Sequence, residues 1–252
     1  MRIILSPAKK MRVDVDDMKP VSTPVFLSET EEILRWLRGL SFAELKKLWN
    51  CNEKIARENY ERLQDMDLHD PSMLTPAALS YDGIAYQYMA PVVFENSHFS
   101  YVQEHLRILS GFYGVLKAMD GVVPYRLEMQ AKAKIGGTGN LYEYWGDRIY
   151  REVIDDSHVI INLASKEYSV CVEKYLKPED TFITCFFGEY ADAGKQKIVQ
   201  KGVYAKMARG EMVRFMAEHQ IENPEEMKAF DRLGYRFCPD QSTEREFVFI
   251  KQ

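Results

Sequence analysis

Three cations recur on one side of a helical segment near the carboxyl end of the sequence. On a helical wheel Lys206, Arg209 and Arg214 fall on that side, with Gly210 between two of them, and apolar residues occupy the other side. Glycine inside a helix costs about 1 kcal/mol relative to alanine. That cost is explained if a bulky anion or a neighbouring helix approaches the backbone closely. The segment therefore predicts a helix face that binds phosphate, or a solvated basic face without a ligand.

A second group of cations stands at the beginning of the chain. Arg2, Lys9, Lys10 and Arg12 occur within the first twelve residues, and the two lysines follow a short apolar run. Ser6 and Lys9 match the S-x-x-K pattern of penicillin-binding enzymes, but the K-T-G and S-D-N motifs that accompany it are absent. We therefore discount serine acylation and expect Lys9 and Lys10 to project into a cleft.

Two further segments carry polar residues at positions suited to a ligand. Arg126 and Glu128 alternate with apolar residues, which predicts a strand with both side chains on one face, as a structural ion pair or in a pocket. A second set follows an apolar run at residues 159–163, where ligands bind in open α/β sheets. These candidate pocket residues are Asn162, Ser165, Glu167 and Tyr168, although helix capping alone accounts for Ser165.

Strands and helices are mixed along the chain. Apolar runs at residues 2–5, 106–109, 159–163 and 181–187 predict strands, and residues 235–238 and 245–250 predict a terminal hairpin. Helices are predicted after the capping boxes Ser28/Glu31 and Ser41/Glu44, and at residues 53–64, 166–175 and 203–219. The pattern predicts a mixed α/β (α+β) fold, and the length of 252 residues allows one large or two small domains.

The composition excludes several classes of protein. Hydrophobic residues make up 46% and charged residues 28% of the 252 residues, so the chain is not disordered. With 33 Lys and Arg against 38 Asp and Glu, the net charge is −5, so a nucleic-acid partner requires a local basic patch. The four cysteines and five histidines form no regular ligand motif, which predicts neither a metal site nor a cofactor. No apolar run approaches a membrane span, so we expect a soluble, cytoplasmic protein without a membrane partner.

Six separated strings resemble the signatures of the YaaA peroxide-stress protein family. They occur in the family's order at residues 6–10 (SPAKK), 109–114 (LSGFYG), 125–129 (YRLEM), 140–142 (NLY), 162–165 (NLAS) and 205–210 (AKMARG). The resemblance implies a bacterial protein of the hydrogen peroxide response, acting in the context of intracellular iron homeostasis. It further implies one domain over residues 1–252 with a family-specific fold and a basic cleft. A DNA-binding helix-hairpin-helix is implied as well, here the helical hairpin at residues 41–64.

The leading hypothesis is a DNA-binding protein of oxidative stress that recognises shape rather than sequence. On the resemblance, its phosphate-binding cations are Lys9, Lys10, Arg126, Lys206, Arg209 and Arg214. The alternative is an enzyme that acts on a nucleotide or another phosphorylated small molecule, with Glu128 as general acid or base and Arg126 orienting the phosphate. A third class, a structural protein whose basic face binds an acidic partner, is left open by the sequence.

Overall fold

A mixed β-sheet is the central element of the protein. The computed structural model describes residues 1–13, 18–191 and 197–252. Its strands are β1 (Arg2–Leu5), β2 (Thr75–Pro76), β3 (Leu106–Ser110), β4 (Gly114–Lys117), β5 (Gly121–Val122), β6 (Val159–Leu163), β7 (Thr181–Tyr190), β8 (Ile198–Val199), β9 (Tyr235–Phe237) and β10 (Glu246–Lys251).

The order of the strands makes the middle of the sheet parallel. Within the described ranges the large sheet runs β4-β3-β1-β6-β7-β10-β9, with β8 paired to β7, while β2 and β5 form a separate small ribbon. Strands β3, β1, β6, β7 and β10 are parallel, and β4, β8 and β9 run antiparallel to their neighbours. The predicted mixed α/β fold is therefore confirmed, as is the hairpin of β9 and β10.

Helices surround this sheet, and short 3-10 turns occur at residues 91–93, 224–229, 232–234 and 239–241. The helices are α1 (Leu27–Arg38), α2 (Phe42–Trp49), α3 (Glu53–Asp65), α4 (Ala77–Ser80), α5 (Ile84–Met89), α6 (Asn96–His105), α7 (Leu141–Trp145), α8 (Arg148–Val153), α9 (Lys166–Glu173) and α10 (Gly202–Glu218). No helix in the described part of the chain is long and apolar enough to cross a membrane.

The central strands are apolar because both of their faces are covered. Ile3 and Ile4 of β1 and Ile160 and Ile161 of β6 are fully buried although consecutive side chains point to opposite faces. Such continuous apolar runs are typical of parallel strands between layers of helices. The predictions at residues 2–5 and 159–163 match β1 and β6, whereas β3 and β7 extend one and three residues beyond the predicted ends.

One of the two predicted capping boxes is present. The Glu44 N–H donates to Ser41 Oγ (3.4 Å) and the Ser41 N–H donates to Glu44 Oε2 (2.8 Å), so α2 begins as predicted. The box at Ser28 is wrong, because α1 already begins at Leu27 and the Ser28 hydroxyl bonds to Glu29 within the first turn. The Phe26 ring lies 5.6 Å from that of Trp145 and fixes where the chain enters the helix.

The helices α2 and α3 form a hairpin at the predicted position. The turn between them contains no glycine, and Asn50 takes the left-handed conformation (φ 44°) while its N–H donates to the Lys47 carbonyl. Asn52 then caps α3 by accepting from the Ile55 N–H at 2.9 Å. Asparagine tolerates this backbone conformation better than most residues, which explains how the turn forms without glycine.

The segment at residues 125–129 is extended but does not join a sheet, so the predicted strand is wrong. The burial of successive side chains nevertheless alternates as in a strand, since Tyr125 and Leu127 are buried while Arg126 and Glu128 are half-buried. The Leu127 carbonyl lies against Gly111, where an added Cβ would come within 2.6 Å of the carbonyl oxygen. The segment is thus positioned by contact with the loop after β3 instead of a hydrogen-bonded ladder.

Gly210 lets α10 contact α5 directly. A Cβ at this position would come within 1.8 Å of the Ala85 carbonyl oxygen, which is backbone and cannot rotate away. Of the two explanations for a glycine within the helix, the structure supports the neighbouring helix. This contact fixes α10, which carries Lys206 and Arg209, against the segment that begins with Asp82 and Gly83.

We predict that Gly210→Ala destabilises the protein even though alanine favours helix formation. Forcing α10 and α5 apart should lower the free energy of unfolding by on the order of 2 kcal/mol, as overpacking does, measured by urea unfolding. Gly202→Ala in the first turn of the same helix is the matched control, because nothing lies within 4 Å of its Cβ position. Equal unfolding free energies for the two variants would contradict this account.

Candidate functional site

A cleft opens at the carboxyl ends of β1 and β6. The chain continues from β1 to β3 on one side, and β6 occupies the other side of β1, so the direction of winding reverses between these strands. Ligands of open α/β sheets bind at such switch points. Ser6 and Ser165 join the two strand ends, because the Ser165 N–H donates to Ser6 Oγ at 2.8 Å and the hydroxyls lie 3.1 Å apart.

Cations from three separate segments meet in this cleft, which has a volume of about 370 Å³. Lys9 and Lys10 follow β1, Arg126 lies in the extended segment, and Lys206 and Arg209 lie on α10. The structure thus brings together five of the six cations selected from the sequence. Because nearly two hundred residues separate the first from the last, their convergence is a property of the fold.

Carboxylates neutralise part of this charge. Lys9 Nζ lies 2.8 Å from Glu128 Oε2, and Arg126 Nη2 lies 3.5 Å from the other oxygen of Glu128. Lys10 Nζ lies 2.6 Å from Asp82 Oδ2, and this hydrogen bond holds the pKa of Asp82 below its usual value. In residues 1–13, 18–191 and 197–252, neither Lys206 nor Arg209 has an ion-pair partner, so the cleft retains unpaired positive charge.

Four buried donor atoms have no acceptor within the described residues, and two of them lie on arginines of the cleft; the other two are Nε1 of Trp49 and Nε of Arg107. Among the described residues, Nε of Arg126 and Nε of Arg209 have no hydrogen-bond partner. Burial lowers the pKa of Arg209, yet a guanidinium remains charged in proteins. A buried donor left unpaired costs roughly 1–3 kcal/mol. These two groups are therefore suited to an anionic ligand that supplies the missing acceptors.

Four of the five predicted pocket residues line the cleft beside these cations: Glu128, Ser165, Glu167 and Tyr168. Burial, together with the nearby charge of Glu128, raises the pKa of Glu167, although its carboxylate accepts from the Gln130 N–H at 3.3 Å. Tyr168 is buried, and burial raises the pKa of its hydroxyl. These side chains add hydrogen-bonding groups beside the cations of the cleft.

Two sequence candidates do not reach the cleft. Asn162 is buried within β6, where its amide donates to Thr184 Oγ1 (3.2 Å) and accepts from the Ala164 N–H (2.9 Å). Arg214 lies further along α10, and its Nε donates to Glu218 at 2.7 Å. Asn162 thus shapes the end of β6, and Arg214 belongs to a separate ion-pair group with Arg232.

The sequence reasoning missed the segment from Asp82 to Tyr86. Asp82 pairs with Lys10, and the Tyr86 hydroxyl donates to the Ser6 carbonyl at 2.9 Å, so this segment forms a wall of the cleft. The Asp82-Gly83 pair is a turn signal that could have drawn attention to it. Nothing in the sequence spacing indicates its contact with Ser6 and Lys10.

A second hollow of about 660 Å³ adjoins the cleft, because Arg126 and Glu128 line both. Its other walls come from α1 and the helical hairpin, including Trp36, Lys47 and Asn50. The hairpin therefore lies beside the cleft and not on a remote surface. Across the described ranges, His, Cys, Asp and Glu residues form no group of three or more that could hold a metal ion.

Comparison with known proteins gives agreement over the whole chain. The profile of a family described as "Peroxide stress protein YaaA" matches residues 1–241. A UPF0246 protein of Agathobacter rectalis is 63% identical over 252 residues, covering 100% of this chain and 99% of that protein. UPF0246 proteins of Desulfitobacterium hafniense and Pediococcus pentosaceus are 53% and 50% identical over 251 residues, each covering 100% of this chain and 98% of the relative.

We predict that Glu167→Gln raises thermal stability above neutral pH but not in acid. Because the carboxyl pKa is raised in the folded protein, ionisation favours the unfolded state, and this penalty appears as the pH rises through the folded pKa. The amide oxygen of glutamine can still accept from the Gln130 N–H. Melting temperatures of the variant and the native protein should diverge at pH 8 and converge near pH 4.

The control is Glu61→Gln, which alters an exposed carboxylate on α3. If both substitutions shifted the melting temperature alike at pH 8, burial of Glu167 would not be the cause.

Proposed function

Since this chain belongs to the family of peroxide stress protein YaaA, we propose that it binds DNA during the response to hydrogen peroxide. In this proposal the cleft holds phosphate oxygens, and recognition depends on the shape of the DNA instead of its sequence. The observation that carries the proposal is the meeting of Lys9, Lys10, Arg126, Lys206 and Arg209 in one cleft.

The charge distribution supports a localised electrostatic mechanism. The chain carries a net charge of −5, so most of its surface repels a polyanion, and only a concentrated cationic site can bind one. Lysines and arginines that neutralise phosphates release condensed counterions, which provides much of the affinity at low salt. The acidic remainder of the surface orients the DNA toward the cleft.

The helical hairpin supports DNA as the partner because it lies beside the cleft and contributes a lysine to the adjoining hollow. Lys47 and Asn50 of the hairpin line the hollow that Arg126 shares with the cleft. Backbone phosphates on either side of a bound group could therefore contact the hairpin and the cleft at once. Contacts of this kind position a nucleic acid without reading its bases.

A phosphorylated small molecule is the second candidate, favoured by the size and position of the cleft. A volume of about 370 Å³ lies within the range typical of small-ligand pockets, and the switch point is where α/β enzymes bind nucleotides. In this role Arg126 would orient the phosphate and Glu128 would act as general acid or base. The ion pair between Glu128 and Lys9 would hold that carboxylate in place.

We predict salt-dependent binding of DNA that is lost when the cations on α10 are removed. If all five cations release counterions, affinity should fall roughly 500-fold between 50 and 200 mM salt. Lys206→Ala combined with Arg209→Ala should weaken binding and reduce the slope of log affinity against log salt by about 2. Fluorescence anisotropy with a labelled duplex measures both quantities.

Arg214→Ala is the matched control, since it removes a cation from the same helix but outside the cleft. Binding that is indifferent to salt, or that weakens equally in the control and the double variant, would contradict the proposal.

We also predict that peroxide does not act on this protein through its two buried thiols. Burial raises the pKa of Cys171 and of Cys185 to about 12, so both remain protonated and unreactive near neutral pH. After brief treatment of the folded protein with hydrogen peroxide at pH 7.5, mass spectrometry should find oxidation at half-buried Cys51 and Cys238 first. Early oxidation of Cys185 or Cys171 would overturn this expectation.

A further inference from the structure

We propose that the cleft selects a terminal phosphomonoester, as found at a DNA strand end or on a free nucleotide, over the internal phosphodiesters of an intact duplex. The inference rests on the proposed function, because it specifies which phosphate the same cleft holds. It is supported by the cleft's size, its charge, its unpaired donors and the hollow beside it.

The size of the cleft limits what can enter. A volume of about 370 Å³ accommodates a nucleotide-sized group, whereas a duplex is on the order of 20 Å across. Two of the cations lie inside the cleft and not at its opening, because only 12% of the Arg126 side chain is exposed and Arg209 is half-buried. A phosphate within a continuous duplex carries nucleotides on both sides, so a strand end reaches these guanidiniums more easily.

The charge of the cleft fits a dianion. Its lining contains five cations and three carboxylates, Asp82, Glu128 and Glu167, which leaves a surplus of two positive charges. The surplus matches Lys206 and Arg209, which have no carboxylate partner within the described residues. A phosphomonoester carries a charge of about −1.5 to −2 at neutral pH, whereas each internal phosphate carries one negative charge.

The unpaired donors fit the larger number of oxygens on a terminal phosphate. Nε of Arg126 and Nε of Arg209 are buried and have no acceptor from residues 1–13, 18–191 or 197–252, and guanidinium groups bind phosphate through two parallel hydrogen bonds. A monoester presents three terminal oxygens, one more than the two non-bridging oxygens of a diester. One terminal group can therefore satisfy both arginines, which project from different segments.

The adjoining hollow provides space for the nucleoside attached to that phosphate. Arg126 and Glu128 form the boundary between the two spaces. Beyond them the charged residues of the wall are Lys47, Lys132 and Glu44, which leave one positive charge in excess. The half-buried apolar residues there include Trp36, Leu40 and Leu48. Apolar side chains beside cations suit an unstacked base joined to a phosphate backbone, without a requirement for sequence.

The test compares DNA substrates that differ only in their ends. The full-length protein is titrated with one duplex sequence in four forms: with 5′-phosphates, with 3′-phosphates, with hydroxyl ends, and as a covalently closed dumbbell that has no ends. We expect one phosphorylated form to bind at least tenfold more tightly than the hydroxyl-ended and closed forms. A nucleoside 5′- or 3′-monophosphate should compete for the site, whereas the nucleoside should not.

Variants distinguish a preference for the terminal phosphate from the general electrostatic attraction of DNA. Arg209→Gln should reduce the ratio between phosphorylated and closed DNA to near one, and Arg214→Gln should leave it unchanged. Lys206→Gln serves as a second variant, because its side chain is exposed and folding should not depend on it; it should reduce the ratio severalfold. Circular dichroism verifies that each variant is folded.

The outcomes distinguish this inference from the proposed function. Equal binding of closed and phosphorylated DNA would overturn the inference while DNA binding stood. Binding of a nucleoside monophosphate without binding of any DNA would support the terminal phosphate, assign it to a free nucleotide and refute the DNA role. Binding of neither DNA nor nucleotide would refute both.

Discussion

The parallel pairing of β1 with both β3 and β6 is the constraint on which the site depends. The chain leaves β1 toward β3, while β6 lies on the opposite side, so the segments that follow β1 and β6 diverge above the sheet. The cleft at that point follows from the topology of the strands and does not depend on the identity of particular side chains. The bonds between Ser6 and Ser165 hold its floor together, and the segments that diverge from it carry the lysines and the polar residues of α9.

The concentration of like charge in this crevice opposes folding. Glu128 and Asp82 neutralise Lys9 and Lys10. Lys206 and Arg209, which have no ion-pair partner in the part of the chain that the structure describes, still add repulsion, and the buried donors of Arg126 and Arg209 add a desolvation cost. Local structure that works against stability in this way typically marks a functional site, because the surrounding core must compensate for it. Burial of the apolar strands, with Ile3, Ile4, Ile160 and Ile161 fully inaccessible, provides that compensation.

Much of the framework could be predicted from the sequence, since apolar runs are buried on both faces in β1 and β6. The site was predictable only in part, because a helical wheel shows angle and not distance along the axis. Arg214 shares the angular sector of Lys206 but lies eight residues on, about 12 Å along the helix, and therefore pairs with Glu218. Asn162 is still within β6, where its side chain bonds to the neighbouring strand. The wall at Asp82 depends on contacts between distant segments, which spacing in the sequence does not encode.

The glycine contact between α10 and α5 has a mechanical consequence for the cleft. Because Gly210 brings the helix against the Ala85 backbone, no flexible side chain separates the two walls that carry Arg209 and Asp82. The width of the cleft is thus fixed before any ligand binds, and binding requires little rearrangement of its walls. A preorganised binding site of this kind loses little conformational entropy when it binds a ligand. It therefore discriminates between ligands by their size and shape.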